Sequence, residues 1–94
     1  MASVQVRYLA PICDVVGRFR DSLTTAEGDT TMDVIDRLCE QHGRPVRELF
    51  YDPKGAFRPM FIILRNARAM NVEDLRVPLE DGDRIAFVPP IAGG

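Results

Sequence analysis

The feature that most constrains this chain is one full-length amphipathic helix set among strands. Met32, Ile35, Leu38, Cys39 and His42 recur at helical spacing, with Asp33, Asp36, Arg37, Glu40 and Gln41 on the other side. Thr30 and Asp33 stand in the T-x-x-D form of a helix start, where the hydroxyl satisfies a free backbone N–H. Gly43 suits the C-terminal stop and Pro45 lies two residues beyond it, so the spacing predicts a helix over about residues 31–42. His42, at its end, is expected to be a satisfied interface residue.

Strand patterns flank this helix. Ser3 to Leu9 alternates, with Val4, Val6 and Tyr8 facing one way. Pro11 interrupts it, and Gly17 to Thr25 gives a second strand with Phe19 and Leu23 on one face, so the two are expected to pair as a hairpin. After the helix, Val46, Leu49 and Phe50 are placed for one further helical turn within residues 44–50, and residues 51–55 form a turn. Met60-Phe61-Ile62-Ile63-Leu64 is a continuous apolar run, expected to be a strand covered on both faces, by a helix on one and a partner on the other. Arg84-Ile85-Ala86-Phe87-Val88 is the last strand, ended by Pro89 and Pro90, which cannot donate to a ladder. Strand, strand, helix, strand, strand, with a right-handed helical crossover into a parallel strand, predicts an α+β protein: one mixed sheet, ββαββ, with one main helix across it. That is the β-grasp arrangement of ubiquitin. The expected organisation is a single domain over residues 1–88 and an extended tail over 89–94.

The remaining composition mostly excludes. Ninety-four residues with a formal charge of −2 and no clustered basic segment give no electrostatic case for nucleic acid. No apolar run approaches the ~20 residues that span a bilayer, and the alternating N-terminus is no signal peptide, so a cytoplasmic location is expected. Cys13 and Cys39 form no C-x-x-C and, with His42 alone, cannot complete a zinc site; both read as small apolar residues. No metal is expected, and no bound cofactor.

The chemistry lies in Pro89-Pro90-Ile91-Ala92-Gly93-Gly94. Glycine carries no side chain, so such a backbone can thread a narrow channel and approach a phosphate closely. The Gly94 carboxylate can attack the α-phosphate of ATP, and a sulfur nucleophile can then displace AMP, leaving a C-terminal thiocarboxylate. Pro89 and Pro90 would hold Ile91-Ala92-Gly93-Gly94 extended away from the sheet. More apolar side chains stand in residues 60–64 and 85–88 than one helix covers. Part of Phe61, Ile63 and Phe87 is therefore expected to lie exposed as a patch beside the tail, unless residues 44–59 fold back over them.

At these residues the sequence resembles the sulfur-carrier proteins of molybdopterin and thiamine biosynthesis, the MoaD/ThiS type. The resemblance is clearest in Leu79, the acidic turn Glu80-Asp81-Gly82-Asp83, the strand 84–88 and the ending Phe87-x-Pro-Pro-x-Ala-Gly-Gly, which is most similar to the small subunit of molybdopterin synthase. It implies a protein co-substrate rather than an enzyme. Gly94 would be adenylated with ATP by a ubiquitin-activating-type enzyme, then sulfurated by a donor such as a cysteine desulfurase or rhodanese. The tail, with Pro90, Ile91, Ala92 and Gly93, would insert into the synthase large subunit in a heterotetramer and deliver sulfur to cyclic pyranopterin monophosphate. Carriers for thiamine or cysteine biosynthesis, a covalent protein modifier joined through Gly94 to lysines, and an adaptor with an idle tail are the alternatives. One departure from the family is Ala67 after Asn66, where relatives usually have Asn-Gly; alanine is disfavoured at positive φ, so a different turn type is expected.

Overall fold

The computed structural model describes residues 1–58 and 60–89. The tail expectations for Pro90, Ile91, Ala92, Gly93 and Gly94 lie outside the described residues.

Five strands form one mixed sheet in the order β2-β1-β5-β3-β4: β1 Ala2–Tyr8, β2 Arg20–Thr25, β3 Ile62–Arg65, β4 Arg68–Ala69 and β5 Arg84–Val88. β1 pairs antiparallel with β2 and parallel with β5, and β3 pairs antiparallel with both β5 and β4. The parallel pair therefore joins the first and last strands, not the strand that follows the main helix. This is the ubiquitin-like β-grasp.

Helix α2, Thr31–His42, carries the capping box its sequence announces. Thr30 Oγ1 accepts from the Asp33 N–H at 3.3 Å, and the Asp33 carboxylate accepts from the Thr30 N–H at 2.8 Å. Its inner face, Val34, Ile35, Leu38 and Cys39, is buried against Val4, Val6, Ile85 and Phe87 of the sheet. Burial pushes the Cys39 thiol up, so it stays protonated as an apolar core residue. His42 departs from expectation: its Nε2 is buried with no hydrogen-bond partner among the described residues.

Two short helices complete the core. α1, Ile12–Val16, occupies the β1–β2 connection, buries Ile12 and ends on Gly17 at φ 87°. α3, Arg44–Phe50, follows α2 directly. Gly43, at φ 74°, ends one helix, and Pro45 sits in the first turn of the next, where a missing N–H costs nothing. α3 drives Val46 and Phe50 fully inside, while Leu49 is half-buried.

That placement corrects one expectation. Phe61, Ile63 and Phe87 are buried, at 6%, 4% and 1% exposure, and form no surface patch. The Phe50 ring packs edge-on against Phe61 at 4.9 Å and Phe87 at 5.5 Å between centroids, so the segment after α2 covers them. Within the single chain only one face of β3 is covered, and Ile62 on the other is 42% exposed. A continuous apolar run has no period to say which alternate residues point inward, and the pleat sends Ile63 in and Ile62 out.

The β3–β4 turn corrects a second. Asn66 and Ala67 both take positive φ, 52° and 71°, the geometry of the hairpin turns that normally demand glycine. Alanine occupies the expected glycine position without changing the turn's hand.

Candidate functional site

The candidate reacting group follows β5, so the site is built from what holds that strand. At its start, the turn 80–83 is bolted to neighbouring elements. Ser3 donates its N–H to Asp81 Oδ1 at 2.8 Å, Gly82 N–H donates to Ser3 O at 2.8 Å, and Gln5 N–H donates to Asp83 O at 2.9 Å. Asp83 is 6% exposed and accepts from three directions: the Glu80 N–H at 2.8 Å, Asn66 Nδ2 at 2.9 Å and Arg65 Nη2 at 2.6 Å. Burial alone would raise its pKa, but the Glu80 and Asn66 donors and the Arg65 guanidinium outweigh it and hold the carboxyl below its ordinary value. Asn66 also accepts from the Arg84 N–H through Oδ1 at 3.0 Å, tying the strained turn to the first residue of β5.

Along its length β5 is gripped on both edges. Ile85 and Phe87 point into the core, with Phe87 beside Tyr8 on one strand and Ile63 on the other. The ladder ends with Val88 opposite Ile62, while Leu9 N–H donates to Phe87 O at 3.3 Å. Pro89 leaves the sheet there, half-buried.

The apolar surface around this exit is made by residues that the sequence does not itself place there. Met60 is 60% exposed, Ile62 42% and Phe19 71%. Phe19 O accepts the Tyr8 N–H at 2.7 Å, which places it at the same end of the sheet, and a depression of about 600 Å³ lies beside it, lined by Tyr8, Leu9, Cys13 and Phe19 together with Arg7, Arg18 and Arg20. Alternation puts Phe19 and Leu23 on one face, yet only Leu23 packs on the core. The available signal was the break at Pro11, which lets α1 displace the start of β2 to Arg20. The Tyr8 hydroxyl donates to Asp21 Oδ2 at 2.9 Å, and burial together with that carboxylate keeps it a neutral phenol.

Among the described residues no group of His, Cys, Asp and Glu could hold a metal ion, and no helix is long and apolar enough to cross a membrane. The described surface thus offers a rigidly held strand end and a rim of apolar groups.

Residues 6–94 match the ThiS family. The chain belongs to it. The match takes in β5 and continues through the six residues after Val88. Among curated proteins, small archaeal modifier protein 3 of Haloferax volcanii is 27% identical over 92 residues, covering 97% of this chain and 98% of the relative. The solution structure of small archaeal modifier protein 1 from Methanosarcina acetivorans superposes with a TM-score of 0.77 at 27% identity, covering 100% of this chain and 98% of that one. A Helicobacter pylori structure, the complex of subunits 1 and 2 of molybdopterin-converting factor, contains a chain that matches with a TM-score of 0.61 at 23% identity, over 98% of this chain and 99% of that one. The fold is that of small ubiquitin-like sulfur carriers and modifiers.

Proposed function

We propose that this protein is a sulfur carrier whose Gly94 is adenylated and converted to a thiocarboxylate, and that it donates the sulfur in molybdopterin biosynthesis. The observation that carries the reading is the family match running through Gly94, on a chain whose last strand is fixed at the middle of the sheet. The carrier supplies a carboxylate and a docking body; catalytic groups belong to its partners. In the first step a Gly94 oxygen attacks the α-phosphate of ATP and pyrophosphate leaves. A protein persulfide then displaces AMP, forming an acyl disulfide, and a second thiol cleaves its S–S bond. The thiocarboxylate is released and the two protein thiols end as a disulfide. The partners are an adenylating enzyme, a persulfide donor, and a synthase large subunit of the kind seen with the Helicobacter pylori chain.

The test is ATP–pyrophosphate exchange with the adenylating enzyme of the same organism. Wild-type protein is expected to support exchange and a Gly94 deletion to abolish it, with folding unchanged because the tail follows the last strand. Exchange at the wild-type rate in the deletion would refute the reading.

A second reading, covalent attachment of Gly94 to lysines of target proteins, is favoured by the full-length similarity to an archaeal modifier. Both readings share the adenylate. Mass spectrometry of protein from its own host separates them: one oxygen replaced by sulfur at the C-terminus, or a ladder of conjugates.

A further inference from the structure

β2 is an outer strand, with β1 as its one neighbour among the described residues. The ladder shows which of its backbone groups that leaves open. Ser3 and Gln5 of β1 turn their backbone toward the β5 side, where Gly82 N–H donates to Ser3 O and Gln5 N–H donates to Asp83 O. Val4, Val6 and Tyr8 therefore turn theirs toward β2, opposite Leu23, Asp21 and Phe19, and Tyr8 N–H donates to Phe19 O. In an antiparallel ladder the residues between such pairs point their N–H and C=O the other way. Arg20, Ser22 and Thr24 thus present both groups to the free edge. Thr24 O alone is taken, by Arg37 Nη1 of α2 at 2.8 Å. Among the described residues no backbone partner engages the rest.

The side chains along this edge have a sign. Arg18 and Arg20 are exposed and Arg37 half-buried. The one carboxylate of the strand, Asp21, is already engaged by the Tyr8 hydroxyl at 2.9 Å and by Arg18 at 3.2 Å. No ion pair involves Arg20 or Arg37 among the described residues, although Asp33 and Glu40 stand a turn either side of Arg37 on α2. Facing the helices, Leu23 packs on the core yet stays half-buried, because no further strand stands beside it. The edge of β2 therefore combines open backbone groups, an unfinished apolar margin and surplus positive charge.

We propose that the open edge of β2 receives an extended acidic segment of a partner protein as a sixth strand. Strand addition draws its affinity from main-chain hydrogen bonds and its specificity from alternate side chains. Arg20 and Ser22 supply the ladder, apolar side chains of the incoming segment complete the cover of Leu23, and carboxylates at its ends meet Arg18, Arg20 and Arg37. Charge on an outer strand deters pairing with like edges. Two copies of β2 would bring two positive edges together, so the charge selects an acidic segment over a second copy. The strand lies beyond β1 from β5, and the proposal makes no use of Gly94, so it stands or falls apart from the carrier reading.

The probe is a synthetic peptide, Glu-Glu-Val-Thr-Val-Thr-Val-Glu-Glu, whose alternation places the valines on one face and the threonines on the other. It is titrated to about 1 mM into isotope-labelled full-length protein, and amide shifts and amide hydrogen exchange are read by NMR. Shifts are expected along β2, with slowed hydrogen exchange at Arg20, Ser22 and Thr24. A peptide methylated on alternate backbone nitrogens, which cannot form the ladder, should not bind. Arg20→Glu should weaken binding by about tenfold or more, whereas Arg20→Lys should retain it. Should the glutamate variant fail to fold, the peptide with lysines in place of its glutamates applies the same reversal to wild-type protein. Absence of binding, shifts confined to other strands, or equal binding of the methylated or lysine-flanked peptide would overturn the proposal. So would slowed hydrogen exchange at Ser22 that needs no peptide and grows with protein concentration, which would make a second copy the occupant.

Discussion

Asp83→Ala is the substitution that most directly tests how the last strand is held. The side chain is 7% exposed and accepts from the Glu80 N–H, Asn66 Nδ2 and Arg65 Nη2. Removing it strands the Arg65 guanidinium, whose side chain is 18% exposed and whose other contact is Pro78 O at 3.1 Å. Breaking a buried charge pair by deleting one partner costs about 3–5 kcal/mol. Arg65 keeps some water, so the lower end applies, about 3 kcal/mol out of a total stability of about 5–15. At an m-value of about 1–3 kcal/mol/M the urea midpoint should fall by at least about 1 M. Asp83→Asn keeps an acceptor and should lose about half as much. The pH dependence has a definite sign. The folded pKa of Asp83 lies below its ordinary value, so in mild acid the unfolded chain binds more protons and stability rises with pH. The contribution is complete above the ordinary aspartate value and is lost as pH falls through the folded one. Asp83→Asn should therefore flatten the acid limb of the stability curve. A midpoint within roughly 0.2 M of wild type for Asp83→Ala, or an acid limb unchanged in Asp83→Asn, would refute the reasoning.

Two further outcomes follow from the packing. Ala67→Gly should stabilise the protein: φ of 71° costs an alanine about 1–2 kcal/mol, and the added freedom of glycine when unfolded returns about 0.5–1, leaving a net gain measurable as a rise in denaturation midpoint. Phe50→Ala should cost about 3–5 kcal/mol in urea titration, because a fully buried ring in contact with Phe61 and Phe87 is replaced by a void beneath the exit of β5.

The parts of the fold legible in the sequence are those written locally. α2 reads directly because its cap, apolar period and glycine stop are all contiguous, and the structure has the capping box between Thr30 and Asp33. The inward set Val4, Val6 and Tyr8 is legible because β1 alternates. Phe61, Ile63 and Phe87 are covered by α3, whose docking depends on a one-residue junction, Gly43, with Pro45 in the turn that follows, a pair that also reads as a simple stop. Asn66 and Ala67 were misread because alanine dislikes positive φ, and nothing nearby in sequence announces the Asp83 and Arg84 bonds that secure the turn. Of the candidate site, the tail motif is entirely sequence knowledge. The exposed Met60 and Ile62 emerge only once register assigns each strand residue a face.

The pairing of β5 between β1 and β3 also sets how the protein bears load. A partner that draws on the residues beyond Val88 pulls along the strand axis, against the parallel ladder to β1 and the antiparallel ladder to β3 together. The hydrogen bonds on both edges share that tension in shear and cannot open one after another, as they would if an outer strand were peeled away. Traction applied beyond Val88 would thus be carried into the middle strand of the sheet, where two ladders resist it together.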